Sequence, residues 1–158
     1  MLMEWLQALQ EWQVATFFRR SFYAYPLLNA THIFSLALLI GAILPVDLRM
    51  LGLFSGIPAA PFLKLMTRLA AAGLVLAILT GFLLFSVQPL EYAGNPAFLT
   101  KVSLVSLGAA NAAVIRLSPG WRAAAASGVV SPSLRFGAVL SVAIWLAALI
   151  AGRWIAFL

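Results

Sequence analysis

Four stretches of the chain carry apolar side chains almost without interruption, and each is long enough to cross a bilayer, which takes about 20 helical residues. They run from about Pro26 to Val46, Leu69 to Gln88, Phe98 to Ile115 and Phe136 to Leu158. None alternates with the period of two that a barrel strand shows, and the α-helix is the open-ended element that satisfies its own backbone in lipid. The connections, Gly52 to Pro61, Pro89 to Pro96 and Ser118 to Pro132, are short. The pattern predicts one all-α domain, residues 1–158, built as an integral membrane four-helix bundle.

Residues 2–20 read differently. Leu2, Trp5, Leu6, Leu9 and Trp12 fall on one helical face, with Glu4, Gln7 and Glu11 opposite. This spacing predicts an amphipathic helix lying in the membrane interface on the rim of the bundle, its Trp side chains at headgroup depth. The basic start and small-residue cleavage site of a secretory leader are missing. Within the spans, Gly73, Ala77 and Gly81 form a ladder of small residues, as do Ala147 with Ala151 and Ala148 with Gly152. Such ladders let helix backbones approach closely in lipid.

Composition agrees with the pattern. Hydrophobic residues make up 64% of the chain and charged residues 9%, too few to clothe a soluble globule, which uses about 25%. Without cysteine there is no disulfide, thiolate metal site or Cys nucleophile. One histidine excludes a His-pair zinc site within one chain. The net charge is +6, but the cations are scattered, so the basic balance reports membrane topology rather than nucleic acid. Arg49, Lys64, Arg68, Arg116, Arg122 and Arg135 flank the first and third loops, against Arg19, Arg20, Lys101 and Arg153 on the other side. The excess places the odd loops in the cytoplasm and both termini outside.

Polar groups inside spans are costly and therefore informative. His32 enters the first span with Asn29 and Ser35 at i−3 and i+3, Lys101 enters the third, and Arg153 lies near the end of the fourth. At 1.5 Å per residue the three fall in one layer, roughly 6–10 Å below the outer interface. A neutral imidazole is a haem-iron ligand, and cations at the membrane edge suit haem propionates. The layer equally suits a quinone or a lipid headgroup. It could also be structural, with His32 hydrogen-bonded to Asn29, Ser35 or a neighbouring helix and the cations snorkelling. A second axial ligand would come from another protomer or from Met3, or be absent. Thr80 and Asn111 read as interhelical hydrogen-bonding groups.

Asp47 lies ~22 Å along the helix from His32. Near Arg49, Lys64 and Arg68, it predicts a structural ion pair with Arg68 or Lys64, and Gly52 a helix C-cap. A proton or ion relay is the alternative. Phosphate loops, nucleophile elbows, HExxH and paired carboxylates are missing, which removes hydrolase, kinase and zinc-enzyme readings.

The segments FRRSFYAYPLLNATHIFSLALLIGAILPVDLRMLG, NPAFLTKVSLVSLGAANA and AGRWIAF resemble a family of small bacterial inner-membrane proteins without assigned function. Its pattern has YP…H…G…DLR(L/M)LG in the first span, NPxFxxK in the third and GR closing the fourth. The resemblance covers most of the chain and marks His32, Gly41, Asp47, Arg49, Lys101 and Arg153. It implies a multi-pass inner-membrane location. More distantly the layout is similar to copper-resistance-D-like and cytochrome-b-like bundles, which carry further His or Met ligands that this chain lacks. The resemblance brings no activity, and the expectation drawn from the polar layer is a cofactor-binding membrane protein, b-type haem or a redox-associated subunit, with His32 as ligand and Lys101 and Arg153 as anion clamp. The alternatives are quinone or small-molecule binding or carriage, and an accessory subunit without cofactor. Expected partners are the lipid bilayer, a second copy or a redox subunit, and no nucleic acid.

Overall fold

The computed structural model describes residues 1–157 as an all-α bundle. Four helices are long and apolar enough to cross a membrane: α3 (Ala24–Met50), α4 (Ala59–Val87), α6 (Pro96–Leu117) and α8 (Pro132–Trp154, continued by a 3₁₀ turn, Ile155–Phe157). Shorter helices complete the chain: α1 (Leu2–Glu11), α2 (Gln13–Arg20), α5 (Pro89–Gly94) and α7 (Pro119–Ser127). The long helices run up and down, so the starts of α3 and α6 share one end with the ends of α4 and α8. That end carries the N-terminal helices and is called the termini end; the opposite, loop end carries the α3–α4 connection and α7.

Local chemistry sets these boundaries. Three helices open with a capping side chain followed by proline at the first helical position: Asn95–Pro96, Ser118–Pro119 and Ser131–Pro132, each cap accepting a backbone N–H of its own first turn. At the end of α3 the amide of Gly52 donates to Arg49 and that of Leu53 to Leu48. This is the Schellman closure, with Gly52 at φ +107° in the region where a side chain would be strained.

The packing has a simple order. α3 pairs with α4, α6 pairs with α8, and α3 and α8 join the two pairs, whereas α4 and α6 do not pack on each other directly. α7 touches both α4 and α6 at the loop end. The α3–α4 contact is close because Gly73 has no side chain: a Cβ there would stand 2.5 Å from the Leu39 amide nitrogen. Around this contact Leu39, Ala42, Ile43, Ala70 and Trp145 form one buried core, and Val46, Met50, Leu63, Ala124, Leu134 and Ala138 form another at the loop end.

Three details depart from the sequence pattern. The predicted interfacial helix 2–20 is two helices, broken at Trp12, whose backbone is extended. Arg19 donates to the Gln10 carbonyl beside the break and to Val87 of α4, tying α2 to the bundle. The second span starts at Ala59, ten residues before the apolar run, because Lys64 and Arg68 lower hydropathy without ending a helix. Two expected connections contain helices of their own, α5 and α7.

Candidate functional site

His32 lies eight residues into α3 and Thr80 seven residues before the end of α4, so in antiparallel helices they reach the same level. His32 Nδ1 is 2.8 Å from Thr80 Oγ1, and that hydroxyl lies 2.6 Å from the Leu76 carbonyl one turn back. Thr80 has one proton for these two contacts. Both are satisfied together when Thr80 donates to Leu76 and the His32 Nδ1–H donates to Thr80. A neutral imidazole held in this tautomer keeps a lone pair on Nε2. Gly81 makes room for the ring: a Cβ there would lie 3.2 Å from His32 Cε1.

Lys101, five residues into α6, is half-buried and lies within electrostatic reach of the His32 ring. Its stem runs along Gly152 of α8, with Cδ and Cε 3.4 Å from where a Cβ would stand. Among the described residues no acid comes within 4 Å of its ammonium. The ammonium is thus held against α8 within electrostatic reach of the histidine, near the space between α4 and α6, which do not pack on each other.

The other expected members of the layer do not join. Arg153 is exposed, with its guanidinium over the Phe157 ring at 4.5 Å. The last turn of α8 turns this residue outward. Ser35 is fully buried, gives its proton to the Thr31 carbonyl at 2.7 Å and makes no hydrogen bond to His32. Asn29 is exposed and makes no hydrogen bond to His32. Met3 is exposed on α1, which packs on α2, α4 and α5 but not on α3. Asn111 does bridge two helices, its Nδ2 donating to the Gly137 carbonyl of α8 at 3.1 Å.

At the loop end the expected ion pair is replaced by two separate arrangements. Asp47 is buried at 3% exposure with no cation within 4 Å, and its Oδ2 has no hydrogen-bond partner among the described residues. The reason lies in the facing of α4: Leu63, Thr67 and Ala70 turn inward, whereas Lys64 and Arg68 occupy exposed positions. The side chain beside Asp47 is Ser141 of α8. Arg49 instead folds back over the loop, donating to the Phe54 carbonyl and lying 5.6 Å from the centre of the Phe62 ring. Phe54 itself has φ +56°, uncommon for a residue with a side chain, and the Arg49 contact holds it.

The described residues contain no group of three His, Asp or Glu side chains able to hold a metal ion. What the arrangement offers is one imidazole nitrogen, oriented from behind by a threonine, with one ammonium within electrostatic reach. Comparison with family models, curated proteins and solved structures finds no match to this chain.

Proposed function

We propose that the protein binds a redox cofactor within the membrane through His32, b-type haem being the cofactor that uses the most of the site. The observation that carries this reading is the Thr80 contact at Nδ1, which supports a tautomer with its lone pair on Nε2. Iron-ligating histidines are characteristically oriented by a hydrogen bond from their other ring nitrogen. His32 would be the axial ligand, and Lys101 suits a propionate. The haem would supply one-electron transfer, with the protein fixing its place in the bilayer. His32 is the one histidine that the chain would offer as a ligand.

A second reading is favoured by the half-exposed ring and the neighbouring ammonium. Nε2 can accept a proton from a quinol hydroxyl, and Lys101 can donate to a quinone carbonyl. Absorption spectroscopy and organic extraction of the purified protein separate the readings. Haem gives a Soret band that shifts when the reduced protein meets carbon monoxide and is lost in His32→Ala. A quinone gives no Soret band but extracts from wild type and not from His32→Ala. A colourless, quinone-free preparation that takes up neither added haemin nor added quinone would refute both and favour an accessory subunit.

The charge distribution supports an inner-membrane orientation with both termini in the periplasm. Six cations lie at the loop end and four at the termini end, and cytoplasmic loops carry the excess.

A further inference from the structure

A second, unrelated cluster lies at the loop end. The space between α4 and α6 opens there into a cleft of about 290 Å³, floored by α7 and lined by Lys64, Thr67 and Arg68 of α4, Arg116 of α6 and Trp121 of α7. Three separate helices thus turn their side chains onto one hollow, and three of those side chains are cations. Among the described residues none of the three makes a salt bridge. The chain has four acids, of which Glu4, Glu11 and Glu91 belong to the termini end and Asp47 is buried. Among the described residues these three cations therefore have no counterion within 4 Å. The Thr67 hydroxyl gives its proton to the Leu63 carbonyl at 2.6 Å, so the charged donors that line the hollow are the three cations.

We propose that this cleft binds the phosphate of an anionic phospholipid headgroup. α4 has 29 residues, about 43 Å at 1.5 Å per residue, against a hydrocarbon core of about 30 Å. Its first turns, with Lys64 and Arg68, accordingly project into the headgroup layer. Directly beside the cations, Leu65 and Leu69 are exposed on α4 and Val114 and Leu117 on α6. A lipid whose phosphate sits in the cleft finds an apolar surface for its acyl chains on either side. Free phosphate would gain the cations but not this surface. A basic pocket between membrane helices is a recognised setting for anionic headgroups, and guanidinium groups add paired donors that match phosphate oxygens.

Native mass spectrometry of the full chain released from nanodiscs tests this, with equal phosphatidylglycerol and phosphatidylcholine as the probe lipids. The wild type should retain phosphatidylglycerol over phosphatidylcholine. Each of Lys64→Gln, Arg68→Gln and Arg116→Gln should weaken that preference about fivefold, and the triple variant should abolish it. The three side chains are exposed, and unchanged helical circular dichroism confirms that the variants fold. The control is Arg122→Gln with Arg135→Gln, two exposed cations of the same end that do not line the cleft. Loss of the preference in this control as large as in the triple variant would mean general surface attraction and overturn the site. So would a triple variant that keeps its phosphatidylglycerol. Displacement of the lipid by millimolar inorganic phosphate would assign the cleft to the free anion and overturn the lipid.

Discussion

Replacing Gly73 by alanine tests the packing on which the histidine site depends. A Cβ at this position would meet the Leu39 nitrogen at 2.5 Å, the Leu39 Cα at 2.8 Å and the Leu38 carbonyl carbon at 3.1 Å. Favourable non-bonded contact lies near 3.5–4.0 Å, so α3 must retreat from α4 by about 1 Å. The contacts are backbone atoms, which cannot rotate away, and overpacking of this kind costs about 1–3 kcal/mol. Alanine also gains about 1 kcal/mol over glycine in a helix interior. Gly41→Ala isolates that gain, because nothing lies within 4 Å of its Cβ position. Reversible SDS unfolding in mixed micelles should therefore find Gly41→Ala slightly more stable than wild type, and Gly73→Ala about 1–3 kcal/mol less stable than Gly41→Ala. Leu39 is two turns from His32 and Gly73 two turns from Thr80, so Gly73→Ala should also loosen the histidine and weaken any cofactor bound there. Equal stability of the two variants would refute the close α3–α4 approach.

Three further outcomes follow from the same geometry. Asp47→Asn should change stability by less than about 1 kcal/mol, because no cation loses a partner, whereas breaking a buried ion pair costs about 3 kcal/mol or more; a loss of that size in the same unfolding assay would restore the pair. Tyr92, on α5 at the termini end, lies among Phe85 and Phe98, and burial first, then Tyr25 and the Glu91 charge, push its phenol up to about 12. The native state holds this proton more tightly than the unfolded chain, so its contribution to stability is present below about pH 10 and is lost as pH rises towards 12; Tyr92→Phe should flatten that part of the profile, and an unchanged slope would contradict it. A C-terminal alkaline phosphatase fusion should be active and a C-terminal fluorescent fusion dark, and the reverse result would invert the orientation.

Much of the architecture was legible because a bilayer leaves a chain few choices. Uninterrupted apolar runs set the four long helices, and Gly73, Ala77 and Gly81 marked the face of α4 that meets α3. His32 and Lys101, placed in one layer by counting residues, lie within electrostatic reach of each other. Direction around a helix was not legible. Arg153 shares the layer but turns to Phe157, and Lys64 and Arg68 share a level with Asp47 but face outward. Rotation depends on which face each neighbour covers, and a nearly uniform apolar span carries little signal of it. The partner of His32 was legible only in part. Thr80 reads as an interhelical hydrogen-bonding group, and mirroring residue counts across the α3–α4 hairpin matches its depth to that of His32. The α1–α2 break at Trp12 had no such signal, since neither Gly nor Pro stands there.

The chain has one histidine, so nitrogen-15 labelling of that residue type reports on His32 alone. NMR of the labelled protein in micelles should show a protonated Nδ1 and an unprotonated Nε2. Addition of haemin or a short-chain quinol should shift or broaden Nε2 and leave the Nδ1 proton in place, while Thr80→Val should release the tautomer. A proton on Nε2 in the wild type, or an Nε2 resonance indifferent to both ligands, would contradict the claim that His32 presents a bare nitrogen to a membrane cofactor.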